Sequence, residues 1–179
     1  MRWNAIYNRI KDIYYPVGAE VGVYQGELSK NILSLHSGLK WIMVDSWSVN
    51  TYTGKNNNAV SPLWRERYEN NAEENFKKAY DNVEKYGDRA SLLRLNSIDA
   101  SKLFKDNTLD LVFADASHDY ESLINDSTAW WPKIKTGGYM CGHDYGVENF
   151  PDIKSAVQDL FKDYTIELDV DFTWFVRKI

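Results

Sequence analysis

Cysteine is almost absent from this chain: Cys141 is the single one among 179 residues. A disulfide within the chain is therefore excluded, and so is a multi-cysteine zinc site. Long apolar runs are missing too. The stretch 1–15 (MRWNAIYNRIKDIYY) is interrupted by charge every few residues. It reads as a short amphipathic helix, not as a signal peptide or a membrane span. An excess of positive charge is also lacking, since 21 Lys and Arg face 26 Asp and Glu for a formal net charge of −5. That balance offers no electrostatic footprint for nucleic acid and no basic face for anionic lipid, so neither is expected as a partner. The expected location is cytoplasmic. No repeat and no Pro/Gly/Ser-rich linker divides the chain, so residues 1–179 read as one domain.

What is present points to a packed α/β core. Hydrophobic residues make up 44% and aromatics 15%, far from the composition of a disordered segment. Short apolar runs alternate with helical periodicities, the pattern of a Rossmann-like, mostly parallel sheet with helices on both faces. Strands are expected over 17–23, 41–44, 92–95, 109–114 and 139–141. Ile153, Ala156, Val157, Leu160 and Phe161 fall at i, i+3, i+4, i+7 and i+8, one face of a helix. Tyr68, Ala72, Phe76, Tyr80 and Val83 mark a longer helix. Its exposed side offers Glu73–Lys77, Glu74–Lys78 and Asp81–Lys85 as i, i+4 pairs. Leu123, Ile124, Trp130, Trp131 and Ile134 mark a third, with the tryptophan pair read as packing. The runs 165–170 and 172–177 have almost nothing between them, hence an antiparallel hairpin at the C-terminus. One stretch fits neither period. Residues 46–62 are polar and rich in Asn, Ser and Thr, a loop long enough to be read as a lid-like insertion reaching about residue 64.

The first strand runs into Glu20-Val21-Gly22-Val23-Tyr24-Gln25-Gly26. Glycines at a strand-to-helix turn let backbone approach a ligand where a side chain would collide. The order is acid-x-G-x-x-x-G rather than the dinucleotide G-x-G-x-x-G, and no lysine stands nearby to meet a phosphate. A carboxylate here suits a cationic ligand, and S-adenosylmethionine carries an ammonium and a sulfonium. The second strand ends in Asp45, placed to accept hydrogen bonds from ribose hydroxyls. After the third strand, Ser97 lies in a polar tetrapeptide (Asn96 to Asp99) that suits an adenine edge. In this order and spacing the chain resembles the class I methyltransferases, whose parallel sheet also ends in an antiparallel hairpin. The resemblance implies that Gly22 and Gly26 cradle the methionine part, Glu20 meets its ammonium, Asp45 binds the ribose, and Asp115 also faces the cofactor.

The fourth strand delivers Asp115-Ala116-Ser117-His118-Asp119-Tyr120, and the fifth delivers His143-Asp144-Tyr145. Both loops open at the carboxyl edge of adjacent strands, so two acids and two histidines converge. The two loops together resemble the metal-dependent sugar and macrolide O-methyltransferases and their cephalosporin-hydroxylase-like relatives. The resemblance implies that Asp115 and Asp144 bind Mg²⁺ and that His118 is the base. Where relatives have two acids in succession this chain has His143 before Asp144. An imidazole is a poor Mg²⁺ ligand, so a softer divalent metal, with His143 as a further ligand, stays open. The polar insertion, with Trp47, Tyr52 and Trp64, suits a sugar-like small-molecule acceptor. Three other readings stand beside this one. They are a metal-independent methyltransferase using His118 alone, an iron-dependent oxygenase built on both histidines and a carboxylate, and a non-catalytic S-adenosylmethionine-binding module. At this length either the acceptor is small or a partner subunit of a homo-oligomer completes the site.

Overall fold

A computed structural model describes residues 1–48 and 71–179. Among these, seven strands make one sheet: β1 (Val17–Val21), β2 (Lys40–Asp45), β3 (Ala90–Arg94), β4 (Leu109–Ala114), β5 (Ile134–Gly142), β6 (Ile166–Asp169) and β7 (Thr173–Arg177). Their spatial order is β3-β2-β1-β4-β5-β7-β6. The first five strands run parallel, while β7 returns antiparallel to β5 and pairs with β6 as a hairpin. All six residues of central β4 are buried, because strands flank it on both edges and helices cover both faces. Its side chains alternate as the pleat requires: Leu111 and Phe113 enter one core, Val112 and Ala114 the other. The first core is closed by α1 (Arg2–Ile10), α2 (Glu27–Leu35) and α3 (Ala72–Val83), the second by α4 (Ser97–Ser101), α5 (Tyr120–Trp130) and α6 (Pro151–Leu160).

Because β1 has β2 on one side and β4 on the other, the winding of the chain reverses there. Crevices at such reversals, outside the carboxyl ends of the strands, are where open α/β sheets bind ligands. No helix among the described residues is long and apolar enough to cross a membrane.

Several local expectations are corrected. Ile134 is the first residue of β5 rather than the end of a helix. Pro132, which has no amide proton, confines the chain to a short 3₁₀ turn over Trp131–Lys133 and stops α5 at Trp130. β5 is therefore nine residues long, passing through Gly137 and Gly138 with a shift of register against β4. The third strand begins and ends earlier than expected, because Asn96 caps α4 by accepting from the Asp99 amide. On α3, Glu74 pairs with Lys78 as spacing predicts. Glu73 turns instead to Arg94, and Lys77 to Asp81.

Candidate active site

The turn after β1 is built for close approach. Gly22 has φ 89° and Gly26 φ 76°, left-handed values that only glycine adopts freely. A Cβ on Gly22 would stand 2.4 Å from the Ala116 Cα and the Asp115 carbonyl oxygen, so the turns after β1 and β4 press together here. Asp45, at the end of β2, ties this turn down. One carboxylate oxygen accepts from the Val23 and Tyr24 amides at 2.9 and 3.0 Å, and the other from the Trp47 amide at 2.8 Å. The Trp47 indole in turn donates to the Tyr24 carbonyl at 2.8 Å. Trp47 is only 1% exposed and meets Phe76 edge to face. It is thus a buried brace for the turn and not the sugar-stacking side chain expected from its place in the insertion. The rest of that insertion, with Tyr52 and Trp64, lies outside the described residues.

Glu20 points down from the turn into the protein. It is 3% exposed and accepts from the Ser29 hydroxyl and, at 3.3 Å, from the Trp41 indole. Burial pushes its carboxyl up to about 8, against the two hydrogen bonds that pull it down. At pH 7 it is a neutral acid, not the free carboxylate that the motif suggests for an ammonium. The sign of the linkage follows. Glu20 holds a proton in the folded chain that it gives up when unfolded above its usual 4.5. Its contribution is therefore fully present below that value and is lost as pH rises through about 8. Urea titrations should show wild-type stability falling over this window, by on the order of 3–5 kcal/mol if Glu20 acts alone. Glu20→Gln should flatten the decline, and an unchanged slope would contradict the assignment.

Ser97 is engaged between helices. Its hydroxyl accepts from the Trp130 indole at 2.9 Å and bonds to Asp126, whose carboxyl burial pushes up to about 6. Asp126 escaped the sequence reading, although an acid among Leu123, Ser127 and Trp130 on the inner face of α5 was the available signal. It lines a recess with Ala116, Ser117, His118 and His143.

The two loops expected to converge do so. Asp119, not Asp115, caps α5 by accepting from the Ser122 amide, which leaves Asp115 and His118 in the connection ahead of the helix. Asp144 follows β5 in a left-handed conformation, φ 62°. Strain of this kind in a side-chain-bearing residue concentrates at functional sites. Its two carboxylate oxygens take one histidine each: His118 Nδ1 at 2.9 Å and His143 Nδ1 at 2.8 Å. A carboxylate only accepts, so both Nδ1 atoms carry the proton, and on His118 this leaves Nε2 to do chemistry. The His118 ring is further fixed by stacking on Phe150, with centroids 4.4 Å apart.

Charges in this cluster hold one another. Burial pulls both histidines down, but their bonds to Asp144 and the charge of Asp115 outweigh it and raise them. Burial likewise pushes Asp144 up, yet its two histidine partners hold it well below the usual carboxylate range. Asp115 is raised by burial. Ligand atoms of Asp115, His118 and Asp144 all lie within 4.8 Å of one another, a donor set that fits one divalent ion. His143 stands outside this trio. Its Nε2 accepts from Arg2 at 3.4 Å, so both of its nitrogens have protein partners. Arg2, which also approaches Asp115 at 3.9 Å, was not singled out by sequence, because a cation in the first turn of an amphipathic helix looks like an ordinary solvated charge.

Comparison with known proteins identifies the family and the fold. Residues 19–145 match the model of a family described as a methyltransferase domain. Among solved structures, the calicheamicin methyltransferase CalS11 superposes with a TM-score of 0.75 at 12% identity, covering 98% of this chain and 77% of its own. The O-methyltransferase NovP gives 0.66 at 18% identity, covering 99% and 79%. An rRNA methylase from Streptococcus thermophilus gives 0.63 at 8% identity, covering 98% and 95%. No curated protein sequence matches significantly. The structural likenesses establish the fold, which serves small-molecule and RNA acceptors alike.

Proposed function

Because the chain belongs to the methyltransferase-domain family and is an S-adenosylmethionine-dependent methyltransferase, we propose that it methylates a hydroxyl oxygen, with a divalent ion assisting, on a saccharide or a glycosylated small molecule. The observation that carries this reading is the meeting of Asp115, His118 and Asp144 at the carboxyl edge of β4 and β5. Two carboxylates suit Mg²⁺ or Mn²⁺, and a neighbouring imidazole admits softer ions. Asp115 and Asp144 would hold the ion. Bound there, it would lower the pKa of a chelated hydroxyl and orient it toward the cofactor's methyl.

The chain's own residues supply the proton chemistry. His118, locked through Nδ1 to Asp144 and stacked on Phe150, presents Nε2 to take the hydroxyl proton. A positioned base of this type is what an alcohol needs at neutral pH. His143, on the other oxygen of Asp144, keeps that carboxylate from turning away. The left-handed glycine turn, braced by Asp45 and Trp47, forms the floor of the cofactor crevice. A metal-free reaction remains the second reading, and one observation favours it: Asp144 already has a histidine on each oxygen, so Asp144–His118 is a working acid–base pair without an ion.

CalS11 is described as a TDP-rhamnose 3′-O-methyltransferase, which supports a saccharide acceptor here. The test is a panel of sugar nucleotides, free sugars, catechols and nucleosides incubated with methyl-labelled cofactor. Label is expected on a sugar oxygen. Label confined to catechols or nucleosides would overturn the acceptor assignment.

A further inference from the structure

The turn that joins β6 to β7 carries a strain that the fold does not use. Its central residues, Asp171 and Phe172, are both left-handed, at φ 61° and 52°. The Thr173 amide closes the turn by donating to the Val170 carbonyl at 3.3 Å. Where a hairpin needs two left-handed residues in succession, the usual solution is asparagine or aspartate followed by glycine. Asp171 fits that rule, since a short polar side chain visits this region readily. Phe172 breaks it: a bulky residue there is an outlier that glycine would relieve. Burial does not offset the cost, because Phe172 is 57% exposed and belongs to neither core. Strain kept without a packing gain is a feature of ligand clamps and active sites.

The turn stands at the reaction edge. β7 runs antiparallel to β5 with Trp174 opposite Gly142, which sets the turn level with the residues that follow β5. The Phe172 carbonyl accepts from the Tyr145 amide at 3.0 Å, and an Asp171 carboxylate oxygen lies 3.8 Å from His143 Nε2. Sheet order then decides which side of the reaction the turn serves. The glycine turn of the cofactor crevice follows β1, His118 and Asp144 follow β4 and β5, and the hairpin turn comes next along the same edge. Methyl transfer is an in-line displacement, so the acceptor oxygen reaches the methyl carbon from the side opposite the departing sulfur. Seen from the cofactor, the acceptor stands beyond the methyl, where this turn lies. We propose that Phe172 is the acceptor's platform, its ring packed on the C–H face of a saccharide ring. A pyranose is apolar on its faces and polar at its rim, and a phenyl with the half-exposed Asp171 carboxylate beside it matches both. This is the task expected of Trp47, which is buried in the core instead. The assignment rests on the saccharide reading above and needs no metal.

Phe172→Ala, Phe172→Gly and Phe172→Tyr test it, because together they separate the ring from the strain. Phe172→Ala removes only the ring, whereas Phe172→Gly removes both. Methyl transfer is followed with TDP-rhamnose, methyl rhamnoside and catechol at saturating labelled S-adenosylmethionine. On a sugar that takes label, Phe172→Ala and Phe172→Gly should each raise the acceptor KM by roughly three- to tenfold, the scale of an aromatic ring contact. Their kcat should change by less than about twofold, since the ring touches no reacting atom. Phe172→Tyr should keep the wild-type KM. In urea, Phe172→Gly should unfold at a higher midpoint than Phe172→Ala, as a left-handed residue outside the core requires. An acceptor KM that survives loss of the ring would overturn the proposal. So would a loss confined to kcat, which would tie Phe172 to the Tyr145 loop rather than to the acceptor, or a Phe172→Gly variant less stable than Phe172→Ala. Label on catechol alone, with its KM raised by the same two variants, would overturn the saccharide reading and leave Phe172 as the platform of an aromatic acceptor.

Discussion

Replacing His118 with alanine is expected to lower kcat by roughly 10²–10⁴, the scale on which a positioned general base contributes, while cofactor affinity stays within about twofold. The size of the effect follows from how completely the ring is committed. Nδ1 is held 2.9 Å from Asp144, and one face lies on Phe150. Only Nε2 is left, and it accepts a proton in the neutral form of the ring, which Asp144 and Asp115 shift to higher pH than in an ordinary histidine. The same commitment predicts what does not change. The glycine turn is stapled by Asp45 and Trp47, and none of those bonds passes through His118. Stopped-flow single turnovers would place the loss on the methyl-transfer step. His143→Ala should cost much less, since that ring acts only by holding Asp144. A loss confined to KM, or equal losses in the two variants, would remove His118 from the role of base.

Much of this site was legible before any coordinates, and the reasons are local. A strand ending in Gly22 and Gly26 must turn, and an acid at the end of the next parallel strand must lie beside that turn. Asp115, His118 and Asp144 follow adjacent strands, so topology alone brings them together. What stayed hidden depends on which way a side chain faces. Glu20 alternates to the inner face of β1 and is claimed by Ser29 and Trp41. Trp47 belongs by position to a polar insertion, yet its φ of 41° turns the ring into the core. Asp45 satisfies the turn's own amides, a use that strand-end placement does not distinguish from ribose binding. Arg2 is 113 residues from Asp115 in sequence, and its approach to His143 and Asp115 depends on where the packing of α1 against α2 carries it. Pro132 was the one plain signal passed over, since it alone forbids a helix continuing from Trp130 to Ile134.

The central claim is that Asp115 and Asp144 hold a divalent ion beside a histidine base. It is tested most directly by following methyl transfer to a responsive acceptor through removal and return of metal. Asp115→Asn and Asp144→Asn are measured alongside, with cofactor affinity determined for each. The account predicts that chelator brings transfer to background and that Mg²⁺ or Mn²⁺ restores it. Each asparagine variant should need far more metal or stay inactive, because an amide oxygen carries no charge to hold the cation. Asp144→Asn should be the worse of the two, since it also loses the acceptor for one of its histidines. Full methyl transfer in excess chelator would contradict the metal's role and leave the Asp144–His118 pair to work alone.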